Sequence, residues 1–188
     1  MKILTILIAS FFISYNTYSQ PLSSIEIGGS LYSPSLQDKS YSSRWALSNA
    51  YSFQLRAPYY KGLIIGIEVT YFDYEKKLEA YSDIYAINYS LLFGVNTFRK
   101  KRINVLLGVE TGIQEIWLLD LSPIYNPDER ELYYSLIMEP QILTEKIIFF
   151  GSLKYQKVFN FRRQHILYVG SGIRIRVNLP RKIQEFIK

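Results

Sequence analysis

The sequence predicts an all-β fold, an eight-stranded antiparallel barrel in up-and-down order, and three observations predict it. Apolar and polar residues alternate with a period of two along most of the chain, as expected of extended segments whose successive side chains point to opposite sides. The alternating segments number eight, an even count, and the connections between them are by turns long and short. The composition favours strands over helices, because 16% of the residues are aromatic, with 17 Tyr against 2 Met.

With 188 residues, 48% hydrophobic and 20% charged, the chain has enough apolar content for one folded domain. Residues 1–19 read as an export signal: Lys2 is the positive end, residues 3–13 the apolar core, and Thr17 and Ser19 the small residues before a cut ahead of Gln20. The apolar run is too short to cross a bilayer as a helix, and no other segment reaches that length. Membrane crossing would therefore fall to strands.

The first strand is expected over 24–32, where Ile25, Ile27 and Leu31 alternate with Glu26, Gly28 and Ser30. The second, 48–57, sets Tyr51, Phe53 and Leu55 against Ser52, Gln54 and Arg56. The third, 62–73, sets Ile65, Ile67, Val69 and Tyr71 against Gly66, Glu68 and Thr70. The fourth, 84–96, sets Tyr85, Tyr89, Leu91 and Phe93 against Asn88, Ser90 and Gly94. In the fifth, 104–117, Val105, Leu107, Val109 and Ile113 oppose Gly108, Glu110, Gly112 and Gln114. The sixth, 132–142, opposes Leu132, Tyr134, Leu136 and Met138 to Ser135, Glu139 and Gln141, and Pro140, which cannot donate to a ladder, predicts a bulge there. The seventh, 147–159, opposes Phe149, Leu153 and Tyr155 to Ser152, Lys154 and Gln156. The eighth, 165–179, contains GSGIRIRVNL, in which Ile173, Ile175 and Val177 alternate with Arg174, Arg176 and Asn178. Connections 33–47, 74–83, 118–131 and 160–164 are long or polar; 58–61, 97–103 and 143–146 are short.

Alternation alone does not say which face is inside. Volume decides it: an eight-stranded barrel has an interior just wide enough for its side chains, and the apolar parity, largely Leu, Ile, Phe and Tyr, would overfill it. The polar parity, rich in Gly and Ser, fits. The apolar face should then point outward, which in such quantity requires lipid, so the barrel is expected to be transmembrane. Two further features agree. Tyr71, Tyr85, Trp117, Tyr134 and Tyr155 gather on the apolar parity near the long-connection ends, as an interfacial aromatic girdle would. The inward charges balance, with four acids (Glu26, Glu68, Glu110, Glu139) against four bases (Arg56, Lys154, Arg174, Arg176). Buried charge is tolerated when paired, so these eight are expected to form a lumen network. By strand position Glu26, Glu139, Arg56 and Arg176 belong at the short-turn end, and Glu68, Glu110, Lys154 and Arg174 nearer mid-height. Glu115 and Lys157 fall on the lipid parity and should lie at the rim, where charge costs little.

From residue 24 to 179 this pattern, with the leader before Gln20 and the closing GSGIRIRVNL, resembles the small outer-membrane β-barrel proteins of Gram-negative bacteria, of the eight-stranded OmpX and OmpA transmembrane-domain type. The resemblance implies location in the cell outer membrane, a barrel over 20–179, and a periplasmic tail over 180–188, with both termini on the periplasmic side. It is specific for architecture and weak for activity. The aromatic ending on which many small barrels finish is absent.

Candidate chemistry is sparse. The chain has no Cys, which excludes disulfides, zinc ribbons and thiol catalysis, and it has no metal-ligand cluster, phosphate loop or nucleophile motif. No cofactor or metal is expected. The formal charge is +6, or +5 once the leader with Lys2 is removed, and the one dense basic run, Arg99 to Arg102, reads as a solvated turn rather than a nucleic-acid surface. His165 is the only histidine. Lipid A deacylases of similar size pair a His with a Ser two positions later, but position 167 is Leu, so that motif does not transfer. Lys39, Arg44, Lys76, Lys77, Arg162 and Arg163 stand in long connections, where cations suit the phosphates of lipopolysaccharide. The expected role is structural or interactive through the surface loops, for a monomer in contact with outer-membrane lipid. The alternatives are a lipid-modifying enzyme, and a barrel subunit of a secretion or envelope machine with an envelope protein partner.

Overall fold

A computed structural model describes residues 23–36, 42–59, 62–78, 83–97, 102–118, 129–159 and 164–180. Eight strands follow one another in chain order: β1 (Ser24–Leu36), β2 (Trp45–Pro58), β3 (Leu63–Lys76), β4 (Ile84–Asn96), β5 (Ile103–Leu118), β6 (Glu129–Leu143), β7 (Ile147–Val158) and β8 (His165–Asn178). Each pairs antiparallel with its neighbours, and β1 pairs with β8 from Ser24 opposite Asn178 to Leu36 opposite Ile166. That last ladder closes the sheet into a barrel without edges. Among the described residues no helix is long and apolar enough to cross a membrane.

The short turns are tightly bonded. Thr144 Oγ1 donates to Ile147 O at 2.7 Å and accepts from Ile147 N at 2.9 Å. Tyr59 N donates to Leu63 O at 2.7 Å across a turn in which Gly62 has φ 93°, a conformation that favours glycine.

The faces are assigned by exposure. Ile65, Leu91, Val109 and Ile175 are 39, 50, 47 and 55% exposed on the outside, whereas Glu68 and Arg174 are buried inside at 2 and 0%. The apolar parity therefore faces outward and the charged parity inward, as volume requires.

The observed strands run past the expected ones at the long-connection end: β1 continues to Leu36, β3 to Lys76, and β2 and β6 begin at Trp45 and Glu129. Polarity alternation fades there, but ladder hydrogen bonds do not depend on it. Pro140 is not a bulge. The β6–β7 pairing keeps one register from Met138 opposite Leu153 to Gln141 opposite Phe150, and Glu139 and Pro140 simply lack ladder partners on that side. The register shift lies instead in β2, between Leu47 and Asn49.

The interior is less uniformly polar than the sequence reading expects. Near the long-connection end Tyr32, Phe72, Tyr74, Ile84, Ile166 and Tyr168 form a buried apolar cluster, and toward the short-turn end Ile64, Leu92, Leu106 and Ile137 form another. The polar lumen lies between them.

Candidate functional site

The candidate site is the lumen and its rim. At its centre Arg56, from β2, makes a bidentate pair with Glu139, from β6, with both N–H···O distances 2.7 Å. Arg174 of β8 donates to the same carboxylate through Nη1 and Nη2, both at 3.1 Å, and to Gln54 Oε1 at 2.8 Å. Its Nε lies 3.6 Å from Glu26 Oε2, and Arg176 Nη2 donates to Glu26 Oε1 at 2.9 Å. Arg174 also lies over the Phe150 ring, 4.0 Å from its centroid. Planar guanidinium forks suit such shared carboxylates, and the pairing offsets the cost of taking these ions out of water.

Both buried arginines lie against glycine. Gly28 is the cross-strand partner of Arg174 and Gly66 that of Arg56. A Cβ on Gly28 would stand 2.7 Å from Arg174 Cγ, and one on Gly66 3.0 Å from Arg56 Cγ. The missing side chains give the guanidinium stems room to lie along the wall.

A second group sits higher. Lys154 of β7 bridges Glu68 of β3 at 2.8 Å and Glu110 of β5 at 2.9 Å. Tyr32 and Thr70 donate hydroxyls to Glu68 Oε1 at 3.2 and 3.1 Å. Arg56 Nη2, 3.9 Å from Glu68 Oε2, links the two groups. The expected height of Arg174 is corrected here: its partners are Glu139 and Glu26, so it belongs to the lower group rather than beside Lys154. The ladder accounts for it: Arg174 stands opposite Ile148, the second residue of β7 after the short turn, so its backbone already lies toward that end.

Beside these ions lies a layer of amides and hydroxyls. Asn88 Nδ2 donates to Gln156 Oε1 across the lumen at 3.0 Å. Neither amide atom of Gln114 has a hydrogen-bond partner in the protein, nor do Ser135 Oγ and Tyr168 OH. The inward aromatics and aliphatics of both apolar clusters are the site residues that a reading by polarity misses. Parity finds them: Tyr32 is two residues beyond Ser30, Phe72 two beyond Thr70, and Leu92 two beyond Ser90. Chemically, the arrangement is a cross-braced plug that ties β1, β2, β3, β5, β6, β7 and β8 through side chains as well as ladders.

On the outer face the rim aromatics meet in stacks. Tyr85 lies between Tyr71 and Trp117, with ring centroids 6.1 and 5.0 Å away, and Tyr134 packs on Phe159 at 5.6 Å. Tyr155 hydrogen-bonds through its hydroxyl to His165 Nδ1. Glu115 is paired with Arg130 at 2.9 Å. In the long connections Lys77 Nζ donates to Ser42 O at 2.7 Å. The leader, Lys39, Arg162, Arg163 and the tail past Pro180 lie outside the described residues. An open hollow of about 870 Å³ in the wall, where Gly29, Gly151 and Ser171 stand among Leu31, Phe149 and Ile173, has no charged side chain among the described residues that line it.

No protein-family model matches the sequence, and no curated protein matches it. Solved structures do. Neisserial surface protein A is superposable with a TM-score of 0.61 at 11% identity, over 81% of this chain and 95% of that one. Ail, the attachment invasion locus protein of Yersinia pestis, gives 0.50 at 14% identity, over 82% and 97%. The N-terminal β-barrel domain of Pseudomonas aeruginosa OprF gives 0.50 at 11% identity, over 84% and 100%. The chain has the closed eight-stranded fold that these outer-membrane barrels share.

Proposed function

We propose that this chain is an outer-membrane β-barrel protein of the bacterial envelope, exported by a cleaved leader. It holds its long connections outside the cell and its short turns in the periplasm, and acts as a monomeric structural or surface-interaction element without catalysis. One observation carries this reading: the inversion of faces, with Ile65, Leu91, Val109 and Ile175 outside and Arg56, Glu139, Lys154 and Arg174 within. An apolar belt of this extent, bounded by stacked aromatics, is matched by hydrocarbon and not by water. The filled and charge-paired lumen supports a plug rather than a solute channel, since eight strands leave little interior volume. His165, bonded to Tyr155 and without a nucleophile at position 167, supports a rim role over lipid hydrolysis.

Fractionation tests the reading. The full chain should remain with washed outer membranes, and the folded protein should migrate differently before and after boiling. Recovery in the soluble fraction with no heat-dependent shift would sink it. Within that test, Val109→Arg should lower the unfolding free energy in vesicles by about 2–4 kcal/mol, because it places a charge at mid-belt. His165→Ala should leave the lipid A of isolated membranes unaltered in mass.

A further inference from the structure

The geometry points to a site for the phosphate of a membrane-lipid headgroup on the outer face of β7 and β8, formed by Lys157, His165 and Tyr155. This inference rests on the membrane reading above. The β7–β8 register sets Lys157 directly opposite His165, and Tyr155, two residues before Lys157 on the same face, is hydrogen-bonded to the His165 ring. All three stand at the long-connection end, level with Tyr134 and Phe159, which is where headgroups meet a barrel wall.

The donors are available. Among the described residues no carboxylate lies within 4.0 Å of Lys157 Nζ, which instead hangs 5.9 Å from the centroid of the Phe159 ring. Arg130 on the adjoining strand, by contrast, is already paired with Glu115. The Tyr155–His165 pair keeps a free donor in either arrangement. If the Tyr155 hydroxyl donates to Nδ1, the proton of a neutral ring sits on Nε2; if Nδ1–H donates instead, the Tyr155 O–H is left to donate elsewhere. A phosphate oxygen can accept from both an ammonium and such a donor.

The surface below suits the rest of a lipid. Leu153, Leu136 and Val169, 40, 53 and 57% exposed, continue the same face toward the short-turn end as a wall for acyl chains. A free anion would not use that wall; a lipid phosphate uses both parts.

The test uses the full folded chain, checked first for insertion into phosphatidylcholine vesicles and for heat-dependent migration. Native mass spectrometry then compares retention of dioleoyl phosphatidic acid with dioleoylglycerol, which has the same chains and no phosphate. Phosphatidic acid should be retained preferentially, and Lys157→Gln should reduce that preference about five-fold, the worth of one cation near an anionic lipid surface. Lys157→Gln with His165→Asn should bring the two lipids to parity, and Lys146→Gln, at the opposite rim, should change nothing. An inserted, folded Lys157→Gln protein that keeps the full preference overturns the site. So does inorganic phosphate competing as well as the lipid, which would leave only a free-anion contact. Failure to insert at all overturns the membrane reading instead.

Discussion

At Glu139 two arginines and the amide of Gln141 converge on one carboxylate, whereas on the neighbouring strand Gln114 is equally buried with both of its amide atoms unbonded to protein. The two regions share one lumen and one level of burial, yet only the first has its hydrogen-bonding capacity largely used. The difference follows from energy. An unpaired ion in a low-dielectric interior costs several kcal/mol, so ions survive there only with partners, while a neutral amide left short of a bond costs about 1–3 kcal/mol. Ionic groups therefore dictate geometry, and amides occupy what remains.

Breaking the first region should have the largest effect. Glu139→Ala removes the carboxylate that Arg56 and Arg174 share, leaving them only the longer carboxylate contacts to Glu68 and Glu26, and should lower stability by about 3–5 kcal/mol, read as the urea midpoint of protein folded in vesicles. A loss below about 1 kcal/mol would mean that the guanidinium groups are solvated and the plug is not held by charge. Next, Lys154→Met removes the cation between Glu68 and Glu110 and should cost about 3 kcal/mol. Adding Glu110→Gln to it should recover part of that loss, since one of the two facing charges then disappears; a double variant as unstable as the sum of the singles would deny the coupling. The smallest effect should come from the second region. Gln114→Leu removes only unpartnered polar atoms and should shift stability by less than about 1 kcal/mol in either direction, measured in the same assay. A loss above about 2 kcal/mol would assign buried water to the amide layer and erase the contrast.

Much of the architecture is legible in the residues because strand periodicity is short and closure makes it consistent from β1 to β8. Ile173, Ile175 and Val177 against Arg174 and Arg176 announce two faces, and the volume of a narrow barrel sorts them. What polarity does not reveal is the apolar share of the interior. Tyr32, Phe72 and Tyr168 occupy inward positions where hydrophobic character alone would place them in lipid. Partner choice is also set in three dimensions: Arg56 finds Glu139 from across the barrel, Arg174 reaches the same carboxylate past β7, and Tyr155 finds His165 on the diagonal of a hairpin. The limits of β2 and β6 are hidden for different reasons: β6 opens on Glu129, Arg130 and Glu131, polar on both faces, whereas in β2 the register shift between Leu47 and Asn49 breaks the parity of Trp45 and Leu47, which pack against the inner apolar cluster.

The seam between β1 and β8 has a consequence for how the molecule is made. Every other ladder joins segments close in sequence and can form as the chain emerges, but this one waits for residues 165–178. Until they arrive, the sheet has two raw borders of unpaired amides and carbonyls, open to any other chain in a similar condition. A protein interrupted ahead of His165 should accordingly clump rather than yield a smaller compact product, and an escort that shields both borders through transit would be needed more than one that speeds any single hairpin.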